Sequence, residues 1–123
     1  MPQRMNDVEG EVGYLLRFYP QSHELSQKIV AALNAEGVGA YTRGQDAAPD
    51  WHIASDMFPL ACSDCARHNR KGDCPVAEDL YNRCVNLMLD QWYSPHDCDN
   101  IARAINKVLS AYCSEDATAT RWM

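Results

Sequence analysis

The chain is 123 residues long, 46% hydrophobic and 23% charged, which is the composition of one soluble globular domain and excludes disordered, collagenous and membrane-spanning classes. Such a length buries roughly two-thirds of its unfolded surface and supports one core, not a large two-domain enzyme. With 11 Lys and Arg against 17 Asp and Glu, the net charge is −6, so no nucleic-acid footprint and no membrane partner are expected.

The six cysteines are sparser than in disulfide-built secreted scaffolds, and no signal-peptide pattern precedes them, so the expected compartment is the reducing cytoplasm. Residues 1–10 read as a flexible polar arm and 114–123 as a flexible tail. That leaves 11–113 for the folded domain. Val12, Tyr14, Leu16 and Phe18 alternate along one face of an expected strand, with Leu15, Arg17 and Tyr19 on the other, until Pro20 removes a donor. Ser22 is placed to cap a helix with Glu24 in its first turn, and Leu25, Ile29, Ala32 and Leu33 form its apolar stripe. Gly37 stands where a left-handed C-cap is wanted, so this helix ends near Glu36.

Val38 to Thr42 suits a second strand, and Gly44 to Pro49 reads as loop. From Trp51 to Asp73 no period survives, and the mixture of aromatic, Cys, His and basic residues marks this stretch as functional. Pro75 then opens a helix, with Val76, Leu80 and Cys84 expected to face inward at four-residue spacing. Val85, Leu87 and Leu89 alternate as a third strand. Ser94, Pro95 and Asp97 make a capping-box variant ahead of the strongest stripe, Ile101, Ala104, Ile105, Val108, Leu109 and Tyr112. The expected fold is an α/β (α+β) sandwich, a small antiparallel or mixed sheet of about three strands covered by helices.

Cys62 and Cys65 have the spacing that lets two thiolates reach one Zn²⁺, and Cys74, Cys84 and His68 are further possible ligands. The usual second close pair is missing, so buried or loose reduced thiols compete with a zinc site and no metal is favoured. His52, between Trp51 and Ile53, can act as acid, base or hydrogen-bond donor, or simply pack beside its tryptophan. Arg67, Arg70 and Lys71 form a short basic cluster whose ordinary reading is a solvated loop. No hydrolase triad order, phosphate-cradling loop or dinucleotide fingerprint occurs.

One ordered succession stands out: Glu9-Gly10-Glu11, the strand ending at Phe18, Ala35-Glu36-Gly37-Val38, Asp50-Trp51-His52-Ile53, Cys62-x-x-Cys65, Cys74-Pro75-x-x-Glu78-Asp79-Leu80 and the closing amphipathic helix. From about Asp7 to Tyr112 it resembles the C-terminal small domain of DegT/DnrJ/EryC1/StrS family aminotransferases, pyridoxal-phosphate enzymes of fold type I that act on keto sugars. The nearest branch is that of the octulosonate transaminases. The resemblance implies a small domain forming one wall of the active-site cleft and part of a dimer surface. Trp51, His52 and Arg43 then stand on the substrate side, with aromatic faces against sugar C–H groups and polar groups on the hydroxyls.

In that family the cofactor lysine and the aspartate at the pyridine nitrogen belong to a larger N-terminal domain. Among Lys28, Lys71 and Lys107 none has the matching context, so no catalytic residue is assigned and the chain alone is expected to hold no cofactor. The implied partner is a large-domain chain that binds pyridoxal phosphate (PLP), or a second copy of this chain, with a keto sugar as substrate. Two readings follow. One is a sugar-aminotransferase small domain, inactive alone or completing a split enzyme, with an exposed apolar face for docking. The other is a stand-alone binding or regulatory module, with or without a Cys-rich zinc site, and with a closed polar surface.

Overall fold

The computed structural model describes residues 13–43, 75–114 and Thr118. Within them the chain runs β1 (Leu15–Phe18), α1 (His23–Ala35), β2 (Ala40–Thr42), α2 (Pro75–Arg83), β3 (Val85–Met88) and α3 (Pro95–Tyr112). The residues 1–12 and most of 115–123, including the expected arm and most of the tail, lie outside this description.

Local chemistry sets the helix ends. Ser22 Oγ accepts the Leu25 N–H at 3.2 Å, as the sequence leads one to expect for an N-cap. At the other end of α1 the Gly37 N–H donates to the Asn34 carbonyl and the Val38 N–H to the Leu33 carbonyl, the paired bonds of a Schellman motif. Gly37 takes φ +83°, where a side chain is strained. The start of α3 is closed by a capping box. Asp97 N–H donates to Ser94 Oγ at 3.3 Å while Ser94 N–H donates to Asp97 Oδ2 at 2.9 Å.

The sheet order is β1-β3-β2, antiparallel throughout, which fixes the choice the sequence left between antiparallel and mixed. Leu16 opposes Leu87 and Phe18 opposes Val85, while Ala40 and Thr42 oppose the same two β3 residues from the other side. Side chains alternate across a strand, so this face carries the core. Val85, Leu87 and Ala40 pack there with Ile29 and Leu33 of α1 and Val108 of α3.

Two helix-face expectations need correction. Val76 does not face inward: it is 73% exposed, and α2 has no buried residue. The reason is that α2 is tied down at its C-terminal end. His23 Nδ1 donates to the Asn82 carbonyl at 2.6 Å, and Ser26 Oγ, fully buried, lies 2.7 Å from the Arg83 carbonyl. Arg83 Nη1 in turn donates to the Pro20 carbonyl. The His23 and Ser26 side chains thus meet helix-end carbonyls that have no partner within α2. Tyr112 also departs from its stripe, being 44% exposed in the last turn of α3.

The strands are shorter than the alternation suggests. Tyr14 falls outside β1 and is 57% exposed, although its carbonyl accepts the Leu89 N–H. Val38 and Gly39 precede β2 rather than belonging to it.

Candidate functional site

The face of the sheet opposite the core carries Leu15, Arg17, Tyr41, Asn86 and Met88, by strict alternation with the core-facing positions. Here the apolar rule breaks at the middle of the sheet. Asn86, on the central strand, is 2% exposed, and Arg17 is its direct cross-strand partner.

Arg17 Nε donates to Asn86 Oδ1 at 2.8 Å, and the Cys84 thiol donates to the same oxygen at 3.4 Å. Asn86 Nδ2 donates to the Tyr41 carbonyl at 3.5 Å. Asn86 is thus fixed from both neighbouring strands, and a buried side-chain amide with its polar atoms paired holds its orientation. Above it opens a cleft of about 180 Å³ between the sheet and α2. Arg17, Asn86 and Cys84 form its sheet side, Arg43 enters from the end of β2, and Leu80 and Tyr81 close it from α2. The Arg43 guanidinium carbon stands 5.8 Å from the centre of the Tyr81 ring, within cation–π range.

Burial pushes the Cys84 thiol pKa up, favouring the neutral form. Arg17, the Asn86 hydrogen bond and Arg43 oppose that shift. None of the described residues lining the cleft is acidic, in a chain whose net charge is −6.

At the far end of the same strands lies a second surface feature. Tyr14, Met88, Trp92 and Tyr93 border one broad, shallow groove and are 57%, 59%, 82% and 42% exposed. Isolated exposed apolar side chains are ordinary, whereas a contiguous set marks a surface that meets a partner or ligand.

Of the expected site residues, Arg43 is placed in the cleft, while Trp51 and His52 lie outside the described residues. Cys62, Cys65, Cys74 and His68, and the basic Arg67, Arg70 and Lys71, also lie outside them. Cys84 is buried beside Asn86, and no group of three potential metal ligands occurs among the described residues. Sequence reasoning missed Arg17, Asn86 and Tyr81. The available signal was the pair of polar residues in mid-strand on the face away from Leu16 and Leu87.

Lys28 is exposed on α1, and Lys107 on α3 pairs with Glu36 at 2.7 Å. Neither borders the cleft. The lysines described here therefore do not fit the one that carries pyridoxal phosphate, and no chemical step is assigned to that cofactor on this chain. No helix among the described residues is long and apolar enough to cross a membrane. Comparison of the chain with family models, with curated proteins and with solved structures finds no match.

Proposed function

We propose that this domain is the small-domain part of a pyridoxal-phosphate-dependent sugar aminotransferase, working beside a large-domain chain that carries the cofactor lysine. The observation that carries the reading is the make-up of the sheet face opposite the core. At one end of it Arg17, Arg43 and Asn86 form a polar cleft, and at the other Tyr14, Met88 and Trp92 leave apolar surface open. A small domain that completes another chain's active site needs both, a wall of placed polar groups for substrate and an apolar area to bury on docking.

Arg43 supports this reading further, because it lines the cleft and stands eight residues before Trp51 in the chain. In this division of labour the domain binds and orients the sugar, and the partner supplies the cofactor chemistry. A closed polar surface, which the stand-alone module requires, is disfavoured by the exposed Trp92 and Met88.

The test is to purify the tagged full chain from its native host, treat it with borohydride and map the products. Borohydride fixes pyridoxal phosphate covalently on the lysine that holds it. The expected result is a pyridoxyl-lysine on a co-purifying large-domain chain, together with amino transfer to a keto sugar only when both chains are present. A pyridoxyl-lysine on Lys28, Lys71 or Lys107, or a solitary chain with no cofactor-bearing partner, overturns the proposal.

A further inference from the structure

We infer that the cleft between the outer sheet face and α2 is a binding site for a small oxyanion, the carboxylate or phosphate group of a sugar acid or sugar phosphate, clasped by Arg17 and Arg43. Three features carry this. Arg17 on β1 and Arg43, directly after β2, line one cleft of about 180 Å³ together with the central-strand Asn86. That volume takes one small anion or the acidic end of a sugar.

The second feature is orientation. The Arg17 Nε–H is held by Asn86 Oδ1 at 2.8 Å, which fixes the plane of the guanidinium and leaves its terminal N–H groups as a fork. A guanidinium fork matches the oxygens of a carboxylate or phosphate two at a time, and pre-orientation lowers the entropy lost on binding. Arg43 is steadied differently, by the Tyr81 ring face at 5.8 Å.

The third is charge. Among the described residues the lining carries two guanidinium groups and no carboxylate. Guanidinium groups on one cleft wall attract an anion by Coulomb forces that strengthen as water is displaced. Asn86 is a positioning residue here, acting through Arg17.

Identifying the anion as the acid group of the aminotransferase's own sugar rests on the function proposed above, but the site itself is tested without cofactor or partner. The full chain is titrated at low salt with gluconate, with glucose 6-phosphate and with neutral glucose, followed by calorimetry and by amide NMR shifts. Gluconate or glucose 6-phosphate is expected to saturate with a dissociation constant below about 10 mM, shifting the Arg17, Arg43 and Asn86 amides. Glucose is expected to leave them in place.

The tighter of the two anions identifies a carboxylate or a phosphate as the natural group. Arg17→Gln should weaken binding by roughly tenfold or more, with Arg17→Lys in between, because lysine keeps the charge and loses the fork. Should Arg17→Gln fail to fold, Arg43→Gln at an exposed position carries the same test. The inference is overturned if neither anion binds, if glucose binds equally well, or if shifts fall away from the cleft. Wild-type affinity in the folded arginine-to-glutamine variants overturns it as well. Loss of the aminotransferase reading alone leaves these titrations unaffected.

Discussion

Asn34 on α1 holds both backbone groups of Ala40: its Nδ2 donates to the Ala40 carbonyl at 2.9 Å and its Oδ1 accepts the Ala40 N–H at 3.1 Å. β2 is an outer strand of the sheet, and Ala40 is a buried core residue. The side-chain amide therefore stands in for the strand that is missing at this edge, pairing groups that burial would otherwise leave unsatisfied.

Asn34→Ala is expected to lower stability by about 1 to 3 kcal/mol, since two bonds are lost and the Ala40 groups stay buried. Asn34→Asp should not restore it, because a carboxylate cannot donate to the Ala40 carbonyl. Urea unfolding checks both: the midpoint should fall while the slope stays constant. Unchanged midpoints would remove the edge-capping role.

How far the sequence could be read depends on whether a feature is local. The Ser22 cap, the Gly37 turn and the Ser94–Asp97 box each need only neighbouring residues, and each appears where the sequence places it. The core face was legible too, because Leu16, Phe18, Val85 and Leu87 alternate with polar or outward residues.

The cleft was not legible, because it arises from pairing across long sequence separations. Arg17 and Asn86 become partners only once β1 docks antiparallel on β3 in one register. Val76 misled for a related reason. Its spacing from Leu80 and Cys84 suits an inward stripe, but α2 is anchored through Asn82 and Arg83, so its first turn stays exposed. Periodicity reports which residues share a helix face and is silent on where that helix is tethered.

The Ser94–Asp97 box gives stability a dependence on acid pH. The Ser94 hydroxyl bond, then the Ser94 backbone bond, hold the Asp97 carboxyl below its ordinary range. A carboxyl with a lowered folded-state pKa contributes stability that is present above its unfolded value, about pH 4, and is lost as pH falls through the folded value. Wild type should therefore melt above Asp97→Asn at pH 7, with the gap closing below about pH 4. Thermal melts by circular dichroism across that range read the difference. A gap independent of pH would assign the effect to packing rather than to the carboxylate.

Thiol chemistry should separate the described cysteines. Cys84 is buried with its pKa raised, whereas Cys98 and Cys113 are exposed. Because the thiolate is the reactive form, alkylation of the native protein at pH 8 should label Cys84 at least about tenfold more slowly than Cys98 or Cys113, as read by mass mapping. The same raised pKa contributes stability that is complete below the unfolded thiol value of about 8.5 and declines as pH rises towards the folded value. Rapid native labelling of Cys84 would contradict the buried, protonated state.

Metal content distinguishes the two functional readings. Zinc binding by Cys84 would have to displace both its thiol proton and its bond to Asn86 at 3.4 Å. Arg17 and Arg43 add positive charge on the same side, which repels a divalent cation and leaves less room for Cys84 to join Cys62, Cys65 and Cys74 as a ligand. Protein purified without added metal should carry less than about a tenth of an equivalent of zinc by elemental analysis, since structural zinc sites retain their metal tightly. Cys84→Ser should then leave metal content unchanged and shift the melting point only modestly. One equivalent in wild type, lost in Cys84→Ser, would instead make Cys84 a ligand and move the balance to the stand-alone module.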